Sequence, residues 1–150
     1  MIRVLALALL SALPASAQQY DPALIPACLG AAPDQTARRA CIGLASQACM
    51  NAAGGETTAG MHGCLSPEIA QWDEMLNAAY AGLRQSSDSR ATALRDAQRA
   101  WIAFVDAACA YEASAYEGGS LAGVVGGTCR MQRTAERALE LRGYVEEEGR

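Results

Sequence analysis

The residues best suited to chemistry are His62, six cysteines, the acids of the second half and Ser120. Cys49, His62 and Cys64 supply the thiolates and imidazole that zinc favours, but no C-x-x-C pair accompanies them. His62 is the only histidine, and its glycine neighbours Gly60 and Gly63 read as an exposed loop. Hydrolysis needs a nucleophile beside a base, or two carboxylates flanking a substrate. Ser120 has no base visible in sequence, and Asp96, Asp106 and Glu112, at offsets of ten and six, do not stack on one helical face. The run Glu117-Gly118-Gly119-Ser120-Leu121-Ala122-Gly123-Val124-Val125-Gly126-Gly127 suggests a phosphate cradle, yet it follows a helical segment and lacks the Gly-Lys-Ser/Thr ending. Trp72, Leu76, Tyr80 and Trp101 would make an aromatic ligand platform, but helical spacing assigns them to a core. Asp73 and Asn77, on the flank of that stripe, are expected to hydrogen-bond neighbouring helices. No catalytic residue, metal site or cofactor follows from these patterns.

The glycine run is expected to form a long connection between helices, with Glu117, Gly118, Gly119 and Ser120 as candidate contacts to a protein partner and residues 54–63 as a second loop. Charge narrows the partner. All 12 basic residues are arginine, against 16 acids, for a net charge of −4. Nucleic acid and anionic membranes both demand a cationic surface and are poor matches.

Arg3, the apolar run from Val4 to Leu10 and Ala15-Ser16-Ala17 form the three parts of a cleavable leader over residues 1–17. Its removal takes Arg3 and leaves 11 arginines against 16 acids, a balance of −5. The first cysteine, Cys28, stands too far from the cut to carry a lipid anchor. The expected product is a single unanchored domain over residues 18–150, periplasmic or secreted, whose oligomeric state the sequence does not specify. In that compartment the even set Cys28, Cys41, Cys49, Cys64, Cys109 and Cys129 is expected to be oxidised. Many pairings are open to six cysteines. A bridge from Cys109 to Cys129 would clamp the glycine run, and joining each helix to its neighbouring loop gives Cys28 with Cys41 and Cys49 with Cys64.

Four helices are expected to position these residues, with no strand. The first runs over 35–52 from the cap Asp34, with a stripe of Ala40, Leu44 and Ala48. The second starts at Ser66-Pro67-Glu68, with a cap, a proline at the first position and an acid in the first turn, and buries Ile69, Trp72, Leu76, Ala79, Tyr80 and Leu83. The third covers 89–116 with Leu94, Ala97, Trp101, Phe104, Val105 and Ala108 inward, so that Trp72 and Trp101 face each other. The fourth begins near Thr128, turns Ala135, Ala138, Leu139 and Val145 inward and frays at Glu146-Glu147-Glu148, whose charges oppose the helix dipole. The fold class is all-α, a small bundle of about four helices stapled by disulfides.

Several blocks fall in an order that resembles the lysozyme inhibitor LprI-like N-terminal domain, a family of exported bacterial proteins. They are Trp72-Asp73 with Leu76, Asn77 and Tyr80, then Ala97-Gln98-Arg99-Ala100-Trp101-Ile102 with Asp106 and Cys109, then Gly118-Gly119-Ser120, Cys129, Thr134 and Arg137-Ala138 with Leu141. The resemblance spans about residues 28–142. Val105 stands where members often carry an arginine, so no role for that arginine is inherited. The resemblance implies a helical, disulfide-linked periplasmic domain that binds a protein, a c-type lysozyme being the partner the family name suggests. The alternative is a structural or interaction domain without inhibitory action.

Overall fold

A computed structural model describes residues 20–85 and 87–149, so the leader expected at 1–17 lies outside the described residues. Six helices follow one another there: α1 Leu24–Ala31, α2 Gln35–Arg39, α3 Leu44–Met50, α4 Thr58–Leu83, α5 Asp88–Ser114 and α6 Leu121–Glu148. The bundle is all-α, with no strand among the described residues. Two more helices are present than the four expected. Residues 24–31 form a helix that sequence reading omitted, and the first expected helix is split in two.

The split has a local cause. Asp34 caps α2 as its position predicts, accepting a hydrogen bond from the Ala37 N–H at 2.9 Å. Gly43 then adopts a left-handed φ of 85°, a conformation that glycine reaches without steric cost. The chain restarts as α3, and the break shifts the helical phase. Cys41, Ala45, Ser46 and Cys49 turn inward, whereas the predicted stripe of Ala40, Leu44 and Ala48 is exposed.

Helix α4 begins eight residues before the predicted start. Thr57 caps it, its hydroxyl accepting from the Gly60 N–H at 3.0 Å, and Pro67 lies inside the helix instead of at its first position. A proline there leaves the carbonyl four residues earlier without its N–H donor. Burial of Gly60, Cys64 and Leu65 and the Cys49–Cys64 bridge offset that loss. Consequently residues 58–63 are helical, and His62 is an exposed helical residue, not a loop residue. Beyond Pro67 the spacing holds: Trp72, Leu76 and Leu83 are buried, with Ile69, Ala79 and Tyr80 half-buried beside them.

The largest departure concerns the glycine run. Helix α6 starts at Leu121, so residues 121–127 are helix and the connection after α5 shrinks to 115–120. Close packing explains why glycines are tolerated in this helix. A Cβ at Gly123 would meet the His62 imidazole at 2.5 Å, one at Gly127 would touch Leu65 at 3.4 Å, and one at Gly126 would touch Ala113 at 3.4 Å. Glycine thus brings the first turns of α6 against α4 and α5 together, at a propensity cost of roughly 1 kcal/mol per residue.

Helix α6 is the central element, packing most extensively on α4 and then on α5, whereas α4 and α5 barely meet. Trp72 and Trp101 therefore do not face each other across a helix pair. The main core joins Ile25 and Leu29 of α1 to Trp72 and Leu76 of α4 and to Ala135 and Leu141 of α6. A smaller cluster holds Val105, Cys109 and Cys129, which makes Val105 a packing residue of the α5–α6 seam. Ala97 and Phe104, predicted inward, are exposed, as is Val145. The acidic end of α6 does not fray: Arg38 and Arg142 bind Glu146 at 2.9 Å, and Arg90 binds Glu148. The Arg38 hydrogen bond is the main reason that the Glu146 carboxyl is held below its usual range.

The cysteines pair as Cys28–Cys41, Cys49–Cys64 and Cys109–Cys129. The first ties α1 to the turn that follows α2, the second α3 to α4, and the third α5 to α6. Replacing Cys109 and Cys129 together by alanine is expected to lower the unfolding free energy by about 3 kcal/mol, the chain-entropy value for so short a loop. A urea melt of the double variant checks this, and a loss below about 1 kcal/mol would show that packing alone holds the seam.

Candidate partner-binding site

Glu117, Gly118, Gly119 and Ser120 lie together, all exposed, in the turn between α5 and α6. The turn is ordered by its own backbone. Tyr116 N–H donates to Ala113 O at 3.0 Å, Glu117 N–H to Ser114 O at 3.2 Å and Gly119 N–H to Tyr116 O at 3.0 Å. Gly118 takes a φ of 78°, which favours glycine at the reversal, and a Cβ on Gly119 would sit tightly at 3.3 Å from the Tyr116 carbonyl oxygen. Ser120 precedes α6 without capping it, which leaves its hydroxyl available to a partner. Tyr116 and Leu121, both partly exposed, flank the acid. The Cys109–Cys129 bridge crosses the two helices about 10 Å below this tip and holds its base. The result is a convex hairpin end, narrower than the loop expected from the glycines, presenting the Glu117 carboxylate, the Ser120 hydroxyl and the Tyr116 and Leu121 side chains.

A second surface lies in the gap between α4 and α5. Its cavity of about 310 Å³ is lined by Tyr80 and Trp101 with Asp73, Asn77, Gln98 and Arg99 among its polar residues. Asn77 Nδ2 donates to Asp73 Oδ2 at 2.9 Å, so these two bind each other along α4, not a neighbouring helix as expected. Of the four residues weighed as a platform, Trp72 is core, Leu76 is core but also borders this groove, and Tyr80 and Trp101 line it while only partly buried.

Glu68, expected only as an acid in a first helical turn, lies inside α4 and has a buried role that sequence reading missed. Its side chain is 0 % exposed. Its carboxylate accepts from the Gly43 N–H at 2.7 Å, the Ser46 N–H at 2.6 Å and the Trp72 indole N–H at 3.0 Å. It pins the start of α3 to α4 and fixes Trp72, a structural task. The one trace of it in the sequence is an acid four residues before a tryptophan on the same helical face. Cys49 and Cys64, considered as metal ligands with His62, are bonded to each other. Among the described residues no group of acids, histidines and cysteines could hold a metal ion, and no helix is long and apolar enough to cross a membrane.

Against known families, the model described as lysozyme inhibitor LprI matches residues 49–141, from α3 to the second half of α6. The chain belongs to the LprI family. The matched region contains the α4–α5–α6 bundle, the groove, the tip and two of the three disulfides, whereas α1, α2 and the Cys28–Cys41 bridge precede it. Neither the curated proteins nor the solved structures hold a match to the chain.

Proposed function

We propose that this chain works outside the cytoplasm as an inhibitor that binds a c-type lysozyme, with the α5–α6 tip at Glu117–Ser120 entering the enzyme's cleft. The observation that carries the reading is the family match, whose description is that of a lysozyme inhibitor. Three further features support it. A polysaccharide cleft is concave and is blocked by a convex, ordered segment, because a floppy one gives up its ordering entropy on binding. The tip is convex and braced. The net charge of −4, or −5 once the leader is removed, attracts a cationic enzyme and speeds encounter. Three disulfides suit the periplasm or the extracellular medium, where the leader would deliver the chain as one unanchored domain.

The purified protein is expected to inhibit lysis of bacterial cell walls by a c-type lysozyme, more strongly at low salt than at high. Glu117→Ala combined with Ser120→Ala should raise the inhibition constant by roughly tenfold or more without moving the thermal midpoint, since both side chains are exposed and the pair is worth about 1–3 kcal/mol at an interface. Lysis unchanged at tens of micromolar and low ionic strength would overturn inhibition and leave the interaction-domain reading, which the uncovered face of α5 favours. Inhibition that survives the double variant would keep the lysozyme reading and move the contact elsewhere.

A further inference from the structure

Helix α5 carries two apolar faces, and α6 covers only one. Gln98, Val105 and Cys109 are buried toward α6. On the opposite side Ala93, Ala100, Ala103, Ala107 and Ala110 are exposed, and from Ala100 onward they recur at steps of three and four. Beside them stand Phe104, 55 % exposed, and Tyr111, 80 % exposed. The solvated side of a surface helix is normally charged and polar. This one holds a single charge, Asp96, between Ala93 and Ser114.

We propose that this face pairs with its counterpart in a second copy of the chain, α5 against α5 and antiparallel, about a two-fold axis beside Trp101 and Ile102. The register is set by charge. In an antiparallel pair the residues flanking the seam meet their own kind across the two-fold. Arg99 and Asp106 lie on one flank, seven residues apart. Arg99 is exposed and enters no ion pair among the described residues. An axis beside Trp101 brings Arg99 against Asp106 of the second copy, and the symmetry makes the contact twice. Asp106 already holds Arg130 of its own chain at 3.0 Å, so each pair becomes a three-residue network.

The same register satisfies the apolar positions. Ala100 falls opposite Ala103 of the second copy and Ala93 opposite Ala110, small pairs that let the backbones approach closely. On the other flank Phe104 lies over Ala97 and Tyr111 over Arg90 of the second copy, a cation–π contact for a tyrosine that is 80 % exposed. Asp96 falls opposite Ala107, whose size leaves the carboxylate open to water. This register also overlaps α5 along almost its whole length. Because α5 has 27 residues, the two tips would project at opposite ends of the pair, about 40 Å apart.

Light scattering coupled to gel filtration tests the pairing on the full chain, with a readout that does not depend on lysozyme. The wild type is expected to show twice the mass of one chain at high micromolar concentration. Ala103→Glu, which favours helix but sets a carboxylate beside the axis, should give the mass of one chain with an unchanged circular dichroism spectrum. Arg99→Glu should raise the dissociation constant roughly tenfold or more at low salt, by facing Asp106 of the second copy with a like charge. Ala70→Glu, on an exposed position of α4, should leave the mass unchanged. A monomeric wild type at that concentration overturns the proposal, and so does a dimer that tolerates both Ala103→Glu and Arg99→Glu.

Discussion

Glu68→Ala is expected to lower the unfolding free energy by about 4 kcal/mol, a large share of the roughly 5–15 kcal/mol that holds a domain of this size together. The side chain is fully buried and accepts three hydrogen bonds, two from the backbone at the start of α3 and one from the Trp72 indole. Truncation strands all three donors away from the surface, at about 1–3 kcal/mol each before relaxation, and leaves a void against Trp72. Glu68→Gln separates the two contributions. It keeps the volume and one acceptor oxygen but turns an NH2 group toward a backbone N–H, so about 2 kcal/mol should be lost. Urea melts with an unchanged slope provide the measurement. An alanine variant within about 1 kcal/mol of wild type would mean that water or a shifted side chain takes the carboxylate's place.

The same residue shows how far the sequence could be read. Local, periodic features were legible: the face of Trp72, Leu76 and Leu83 repeats at helical spacing, Asp34 caps a helix, and the cysteines of successive segments lie near one another. What stayed hidden depends on partners distant in sequence. Ser66-Pro67-Glu68 carries every mark of a helix start, but the acid serves Gly43 and Ser46, more than twenty residues earlier, and the cap lies at Thr57. Glycine is ambiguous for the same reason. At Gly118 it makes a turn, whereas at Gly123, Gly126 and Gly127 it clears space for a neighbouring helix, and composition alone does not distinguish these uses. The candidate site contracted accordingly. Glu117–Ser120 remain in the connection, and the residues after them became the first turns of α6. The groove residues Tyr80 and Trp101 had the right types, but their exposure depends on α4 and α5 standing apart on either side of α6.

That separation predicts unequal fates for the two tryptophans. On facing helices both would be core, each worth about 3–5 kcal/mol on truncation to alanine. Trp72 meets that condition from α4, with 0 % exposure, apolar neighbours on α6 and a hydrogen bond to Glu68, so Trp72→Ala is expected to cost about 4 kcal/mol. Trp101 is half-buried, touches both core clusters and lines the grooves on either side of α5, so Trp101→Ala should cost only about 1–2 kcal/mol. The Trp72 loss should also couple to the Glu68 loss. Glu68→Ala leaves the indole N–H without its acceptor and Trp72→Ala takes one of three donors from the carboxylate, whereas the double variant contains neither group, so it should fall short of the sum by about 1 kcal/mol. Strict additivity would place the indole N–H outside the Glu68 network. A Trp101→Ala variant as unstable as Trp72→Ala would mean that α4 and α5 close on each other in solution, and the groove between them would then be core.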